Sequence, residues 1–162
     1  MNSPTPEDAP KASNALRTIL LAGFIAGTLD IAAAAITTIL RGGRPVRMLQ
    51  FIAGGVLGRS SLDGGLKTAS LGLLLHYVIA FTWTIIFYLA SQRLTFLVQR
   101  PIISGLLYGI VVYLIMNLIV LPLSALHAKP TFSASSLIGV GILMFCIGLP
   151  IALIVGRYSK TT

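Results

Sequence analysis

Acidic side chains are almost missing from this chain: four Asp and Glu stand against twelve Lys and Arg in 162 residues, and only 10% are charged. A soluble domain carries about a quarter charged residues, so this composition cannot furnish a water-facing surface. The single cysteine, Cys146, excludes an internal disulfide, and the two histidines, His76 and His127, leave no cluster of metal-ligand spacing. No phosphate loop, His-Glu-x-x-His pair, nucleophile elbow or pair of carboxylates in register is present. The expectation is a protein that is not an enzyme and holds neither cofactor nor metal.

What remains is apolar: 56% of residues are hydrophobic and the mean hydropathy is +0.92. Many of the sixteen glycines lie inside apolar runs, where membrane helices use them. Four runs, residues 18–40, 71–90, 102–121 and 137–155, each suit about twenty residues of spanning helix. Each ends in polar or breaking residues: Arg41-Gly42-Gly43, Ser91-Gln92-Arg93, Pro122 and Arg157. A bilayer offers no partner to free N–H and C=O groups, so these runs must be helical.

A fifth apolar piece, about residues 46–58, is too short to span. Flanked by Arg44, Arg47 and Arg59, it reads as an interfacial or re-entrant helix. Residues 1–15, with Pro4, Pro6 and Pro10, read as a disordered tail ahead of a single transmembrane domain over residues 16–158. The run 18–40 exceeds the apolar core of a signal peptide, about 7–15 residues. The fold class is therefore all-α: a four-helix transmembrane bundle with one short extra helix.

A formal net charge of +8 invites a nucleic-acid reading. The basic residues cluster at the ends of the apolar runs, which suits lipid head groups and excludes a basic stripe on a folded surface. The bilayer is the expected partner, together with a second copy of the chain; nucleic acid is not. Lys11, Arg17, Arg93, Arg100, Arg157 and Lys160 fall on the side of the termini. Arg41, Arg44, Arg47, Arg59, Lys67 and Lys129 fall on the other, so the positive-inside rule is balanced. The loop 124–136, with Lys129 its one cation, leans the termini toward the cytoplasm.

Within the first run lies Asp30, about a dozen apolar residues from the run's start. A charge at bilayer depth costs at least about 2.5–3.5 kcal/mol, so such groups face partners or water-filled cavities. Gly23, Gly27, Asp30 and Ala34 recur at helical spacing, which puts the carboxylate on a stripe of small residues where a second helix can approach. Gly105 and Gly109 repeat the spacing in the third run, and Gly54 and Gly58 in the short one. At about 1.5 Å per residue, His76 comes within roughly one turn of the depth of Asp30, with Asn117 slightly nearer the loop side. Asp30, His76 and Asn117 are the candidate intramembrane polar site. They can serve as hydrogen-bonding glue between helices or as a proton-handling site, because imidazole titrates near neutral pH.

Tyr77, Trp83, Phe87 and Tyr88 in the second run, and Tyr108 and Tyr113 in the third, read as packing residues. Pro150 lies inside the fourth run as a kink, whereas Pro122 ends the third. The halves echo each other: Arg17-Thr-Ile-Leu with Gly23 and Gly27 against Arg100-Pro-Ile-Ile with Gly105 and Gly109, and Leu71-Gly72-Leu73 against Ile138-Gly139-Val140. A duplicated helix pair and coincidence in apolar sequence both account for this.

Several short motifs together resemble a group of small bacterial inner-membrane proteins similar to the YagU-like proteins. They are Ala26-Gly27-x-x-Asp30-Ile31, Leu74-Leu-His-Tyr77, Tyr108-Gly-x-x-Val-Tyr113, Met116-Asn117, Pro122-Leu-Ser124 and Gly148-Leu-Pro-Ile-Ala152. The resemblance implies a multi-pass inner-membrane protein and carries no assigned activity. Where the group has a polar residue in the last span, this chain has Leu143, Met144 and Phe145. Two functional expectations follow: a non-catalytic structural or accessory protein, or a small proton-coupled transporter or channel using Asp30 with His76.

Overall fold

A computed structural model describes residues 8–129 and 134–159. Four helices in it are long and apolar enough to cross a membrane. Helix α1 runs over Asp8–Leu40 and α2 over Pro45–Leu57, followed by a 3-10 turn at Gly58–Asp63. Helix α3 covers Gly65–Arg93 and the one-turn α4 covers Phe96–Gln99. Helices α5, Pro101–Leu123, and α6, Ser136–Tyr158, complete the set. No strand occurs among the described residues.

The helices reach beyond the apolar runs because backbone hydrogen bonding continues into the head-group region, where polar side chains are welcome. The first begins at Asp8, inside the segment expected to be a tail, and residues 1–7 lie outside the described residues. Pro10 does not stop it, since a proline in a first turn lacks only an N–H that has no intrahelical partner there. Prolines open α2 and α5 in the same way, at Pro45 and Pro101. The short helix stops at Gly58, whose φ of +70° is one that side chains with a Cβ resist. Gly54 and Gly58 therefore do not form the contact stripe their spacing suggested. Gly54 faces Ser61 and Leu126, and Gly58 ends the helix.

Small residues point inward and large ones outward. Ala22, Ala26, Ala53, Ala69 and Ala80 are buried, while Leu20, Phe24, Ile36, Leu74, Leu89, Leu107 and Phe145 are exposed to the surroundings that a bilayer would fill. Lipid is as apolar as leucine, so close backbone approach rather than leucine burial holds such helices together. Helix α1 packs on α3 and α6, and α5 packs on α6. The α5–α6 contact is one of close backbone approach: Gly105 and Gly148 face each other, and a methyl group at Gly105 would lie 2.8 Å from the Gly148 carbonyl oxygen. The second tight point joins α2 to α3, with the Leu49 carbonyl against Gly72. The solid core, Ala26, Phe87, Ile147, Ile151, Ala152 and Val155, fills the half of the bundle toward the termini.

Helices α3 and α5 do not pack along their backbones. Tyr108 bridges them, its hydroxyl donating to the Trp83 carbonyl at 2.6 Å and its ring edge-on to Phe87. Both α5 and α6 contain a widened π-helical turn, at Met116–Val120 and Leu143–Gly148. A proline follows each, Pro122 and Pro150. Its missing N–H and crowded ring spoil the ordinary bond to the preceding turn, and the wider turn absorbs the misfit.

Close approach at Gly148 gives a direct test. Gly148→Ala drives a methyl group into the Gly105 carbonyl, and overpacking of this kind costs about 1–3 kcal/mol. Gly141→Ala on the same helix meets nothing within 4 Å and should not destabilise the fold. Reversible unfolding in mixed detergent micelles should show the first variant destabilised and the second not.

Candidate functional site

The contact between α1 and α3 begins with the absence of side chains. Gly23 lies under the Phe81 ring, and Gly27 lies under Ala80 and Tyr77 at distances that a Cβ would reduce to 3.1 Å. Because α3 can come this close, the His76 ring reaches the backbone of α1: its Nε2 lies 2.8 Å from the Gly27 carbonyl oxygen. Tyr77 adds a hydrogen bond between its hydroxyl and Thr28 Oγ1, 2.9 Å, and stacks on Phe24.

That carbonyl settles the chemistry of the ring. A backbone carbonyl only accepts, so Nε2 carries a hydrogen and donates it. Nδ1 is then the nitrogen that gains or loses a proton. It points toward the carboxylate of Asp30, with Oδ2 at 3.9 Å. This distance is too long for a direct hydrogen bond and short enough for strong electrostatic coupling.

Asp30 differs from the threonines of its span, Thr18, Thr28, Thr37 and Thr38, whose hydroxyls are all hydrogen-bonded. Among the described residues its carboxylate accepts no hydrogen bond, and His76 is its one ion-pair partner. Its side chain is 17% exposed, and that exposure opens into a cavity of about 250 Å³ between α1, α3, α5 and α6. Ile79, Ala80 and Trp83 form the α3 wall, Val112, Met116 and Asn117 the α5 wall, and Leu143 and Ile147 the α6 wall. Ile52 of α2 closes the loop end. Met116, Asn117, Leu143 and Ile147 all belong to the two π-helical turns, so the widened turns face the acid across the same space.

The three residues singled out by depth counting thus share one cavity, but not one hydrogen-bond network. Asp30 and His76 form a pair. Asn117 lines the opposite wall, and its amide donates back to the Tyr113 carbonyl of its own helix at 3.0 Å. Gly23 and Gly27 are the α1 half of the α1–α3 contact, and Gly105 and Gly109 are the α5 half of the α5–α6 contact. Sequence reasoning missed Trp83 as a cavity wall, Ile52 as its end, and Gly148 as the partner of Gly105. A helical-phase argument could have found only the last, by asking which glycine of the fourth run lies at the depth of Gly105. Cys146 is partly exposed within the π turn of α6 and lies outside the cavity lining. No group of three or more His, Cys, Asp or Glu able to hold a metal occurs among the described residues.

In comparisons with known proteins, no family model, no curated protein and no solved structure matches the chain. Its class is given by its own architecture: a multi-pass membrane protein with an acid–imidazole pair at mid-depth.

The tautomer is open to measurement. In the ¹⁵N-labelled protein, the neutral His76 ring should carry its hydrogen on Nε2 and leave Nδ1 bare. Asp30→Asn should leave the Nε2–H signal in place, because the Gly27 carbonyl that holds it is backbone.

Proposed function

We propose that this protein is a small proton-coupled transporter of a bacterial inner membrane, with Asp30 as its proton-binding group and His76 as the partner that shares the proton. The observation that carries this reading is the carboxylate itself, which faces a cavity and accepts no hydrogen bond from the protein. A buried polar group kept for stability is normally hydrogen-bonded, since leaving it unmet costs about 1–3 kcal/mol. A carboxylate held ready for a proton or a solute has reason to be left open.

The pair can hold no proton, one or two on Asp30 and Nδ1 together, with net charge −1, 0 or +1. The singly protonated pair is neutral whichever group carries the proton, which suits a site that must change state inside a low-dielectric medium. Toward the termini, the core built on Phe87 and Ile151 blocks the cavity. Away from them it extends between α3 and α5, where only side chains join the helices. The proline-widened turns of α5 and α6 are the points at which those helices can rearrange to expose it to either side.

Structural glue is the competing reading, and the His76–Gly27 bond favours it. That role requires no acid at position 30. In proteoliposomes with a trapped pH indicator and an imposed pH gradient, wild-type protein should move protons. Asp30→Asn should fall to the level of protein-free liposomes while its helical content and detergent stability stay intact. His76→Gln, which can still donate to the Gly27 carbonyl, should also keep the fold and slow the flux. Undiminished flux in Asp30→Asn would refute the proposal.

A further inference from the structure

We infer that the cavity binds a small lipophilic organic cation, whose positive charge replaces a proton on Asp30. The inference rests on the reading of Asp30 as an exchangeable proton site and adds what it exchanges for.

The charge inventory comes first. Among the described residues Asp30 is the only acid in the cavity wall, and no Lys or Arg stands there with it. An anionic solute would meet a carboxylate with nothing to offset the repulsion. A neutral solute would leave the carboxylate as unpartnered as before. A small metal ion is excluded by its ligand demand: magnesium and calcium require about six or more oxygens, and the wall offers Asp30 and Asn117. A weakly hydrated cation has no such demand. A quaternary ammonium or protonated amine surrenders its water readily and needs one counter-charge with apolar surroundings.

The walls supply the rest. Trp83 presents the side chain best suited to attract an organic cation through its ring face. Ile79, Met116 and Ile147 supply apolar surface around it. A cavity of about 150 Å³ admits benzene, so about 250 Å³ admits a benzyl group with a compact ammonium head.

A second compartment of about 260 Å³ adjoins the first and shares Ile52, Ile79, Met116 and Leu121 with it. Its remaining walls, which include Phe51, Val56, Leu75 and Val120, carry no charge. It lies between α2, α3 and α5, at the seam where the long helices stand apart. The two spaces together suit an elongated amphiphile, its charged end at Asp30 and its apolar tail along the seam.

Exchange at the carboxylate balances simply: the acid O–H breaks, its proton leaves to water or to Nδ1 of His76, and the ammonium takes over the negative charge. Among the described residues, the titratable groups within electrostatic reach of Asp30 are His76 from α3 and Cys146 from α6. Helix α2 contributes only Ile52 to the wall, and α5 contributes no titratable side chain.

Trp83 is the only tryptophan of the chain, so its fluorescence reports the cavity without labelling. The probes are benzyltrimethylammonium, its neutral carbon analogue neopentylbenzene, and benzenesulfonate as the anion. The cation should give a saturable change in Trp83 fluorescence, with affinity falling up to about tenfold per pH unit as protons compete for Asp30. Each bound cation should release up to one proton into weakly buffered solution. Asp30→Asn, checked for fold by circular dichroism, should lose this binding. Gly55→Leu, which fills the adjoining compartment from a position where a Cβ meets nothing closer than 4.0 Å, should weaken binding of a long-chain benzyldimethylalkylammonium and spare benzyltrimethylammonium.

Equal binding of neopentylbenzene, pH-independent affinity, or undiminished binding by Asp30→Asn would each overturn the inference. Failure of every cation to bind, with Asp30-dependent proton flux intact, would remove the ligand class and leave the transport reading standing. Cation binding with proton release but no flux in liposomes would do the reverse.

Discussion

The bundle depends on how closely α1 and α3 approach. Gly23 and Gly27 remove the side chains that would keep the helices apart, and the space so gained lets His76 donate across to a backbone carbonyl. Everything chemical at the centre follows from that one bond. It fixes the ring's orientation and reserves Nε2 for structure. Nδ1 is left toward Asp30. An ordinary α1–α3 spacing of about 8–10 Å with larger side chains would leave the imidazole short of the Gly27 oxygen. Its tautomer would then be undetermined and Asp30 would have no oriented partner.

The two ends of the molecule solve different problems. Toward the termini, Ala26, Phe87, Ile151 and Val155 fill the bundle as a packed core. Toward the loops, α3 and α5 part, and a cavity takes the place of contacts. Tyr108 marks the boundary, holding the helices together through the Trp83 carbonyl where their backbones no longer meet. A bundle built only for stability would close this half with small residues, as α5 and α6 do at Gly105 and Gly148. Here the glycine contacts lie on the other helix pairs.

The number of spans was legible because the bilayer imposes a length and a polarity that composition records directly. The inward direction of Asp30 was legible too, since helical phase ties it to Gly23 and Gly27. What could not be read was anything dependent on distance across the bundle. Asn117 stands at a suitable depth but spends its amide on Tyr113, a choice between two acceptors that no spacing reveals. Gly58 has the spacing of a contact glycine and serves instead as a helix terminus, because its partner in the pattern lies one turn from the end of α2. Proline marked where α5 and α6 would be irregular, though not that both irregular turns would face the same space. Trp83 looked like a packing residue from sequence, and only the separation of α3 from α5 makes it a wall.

The π-helical turns also bear on how the chain can change over evolutionary time. A π turn carries one residue more than the α turn it replaces, and in an α-helix one residue is worth about 100° of rotation. Each of the turns at Met116–Val120 and Leu143–Gly148 therefore behaves as an insertion already accommodated by the fold. A single-residue deletion inside either would convert it to regular helix and keep the flanking segments facing as they do now. Elsewhere in the spans the same deletion would swing every later side chain off its face. The cavity's walls are thus the places where these helices tolerate a change of length, and where a related chain could alter the chamber without rebuilding the bundle.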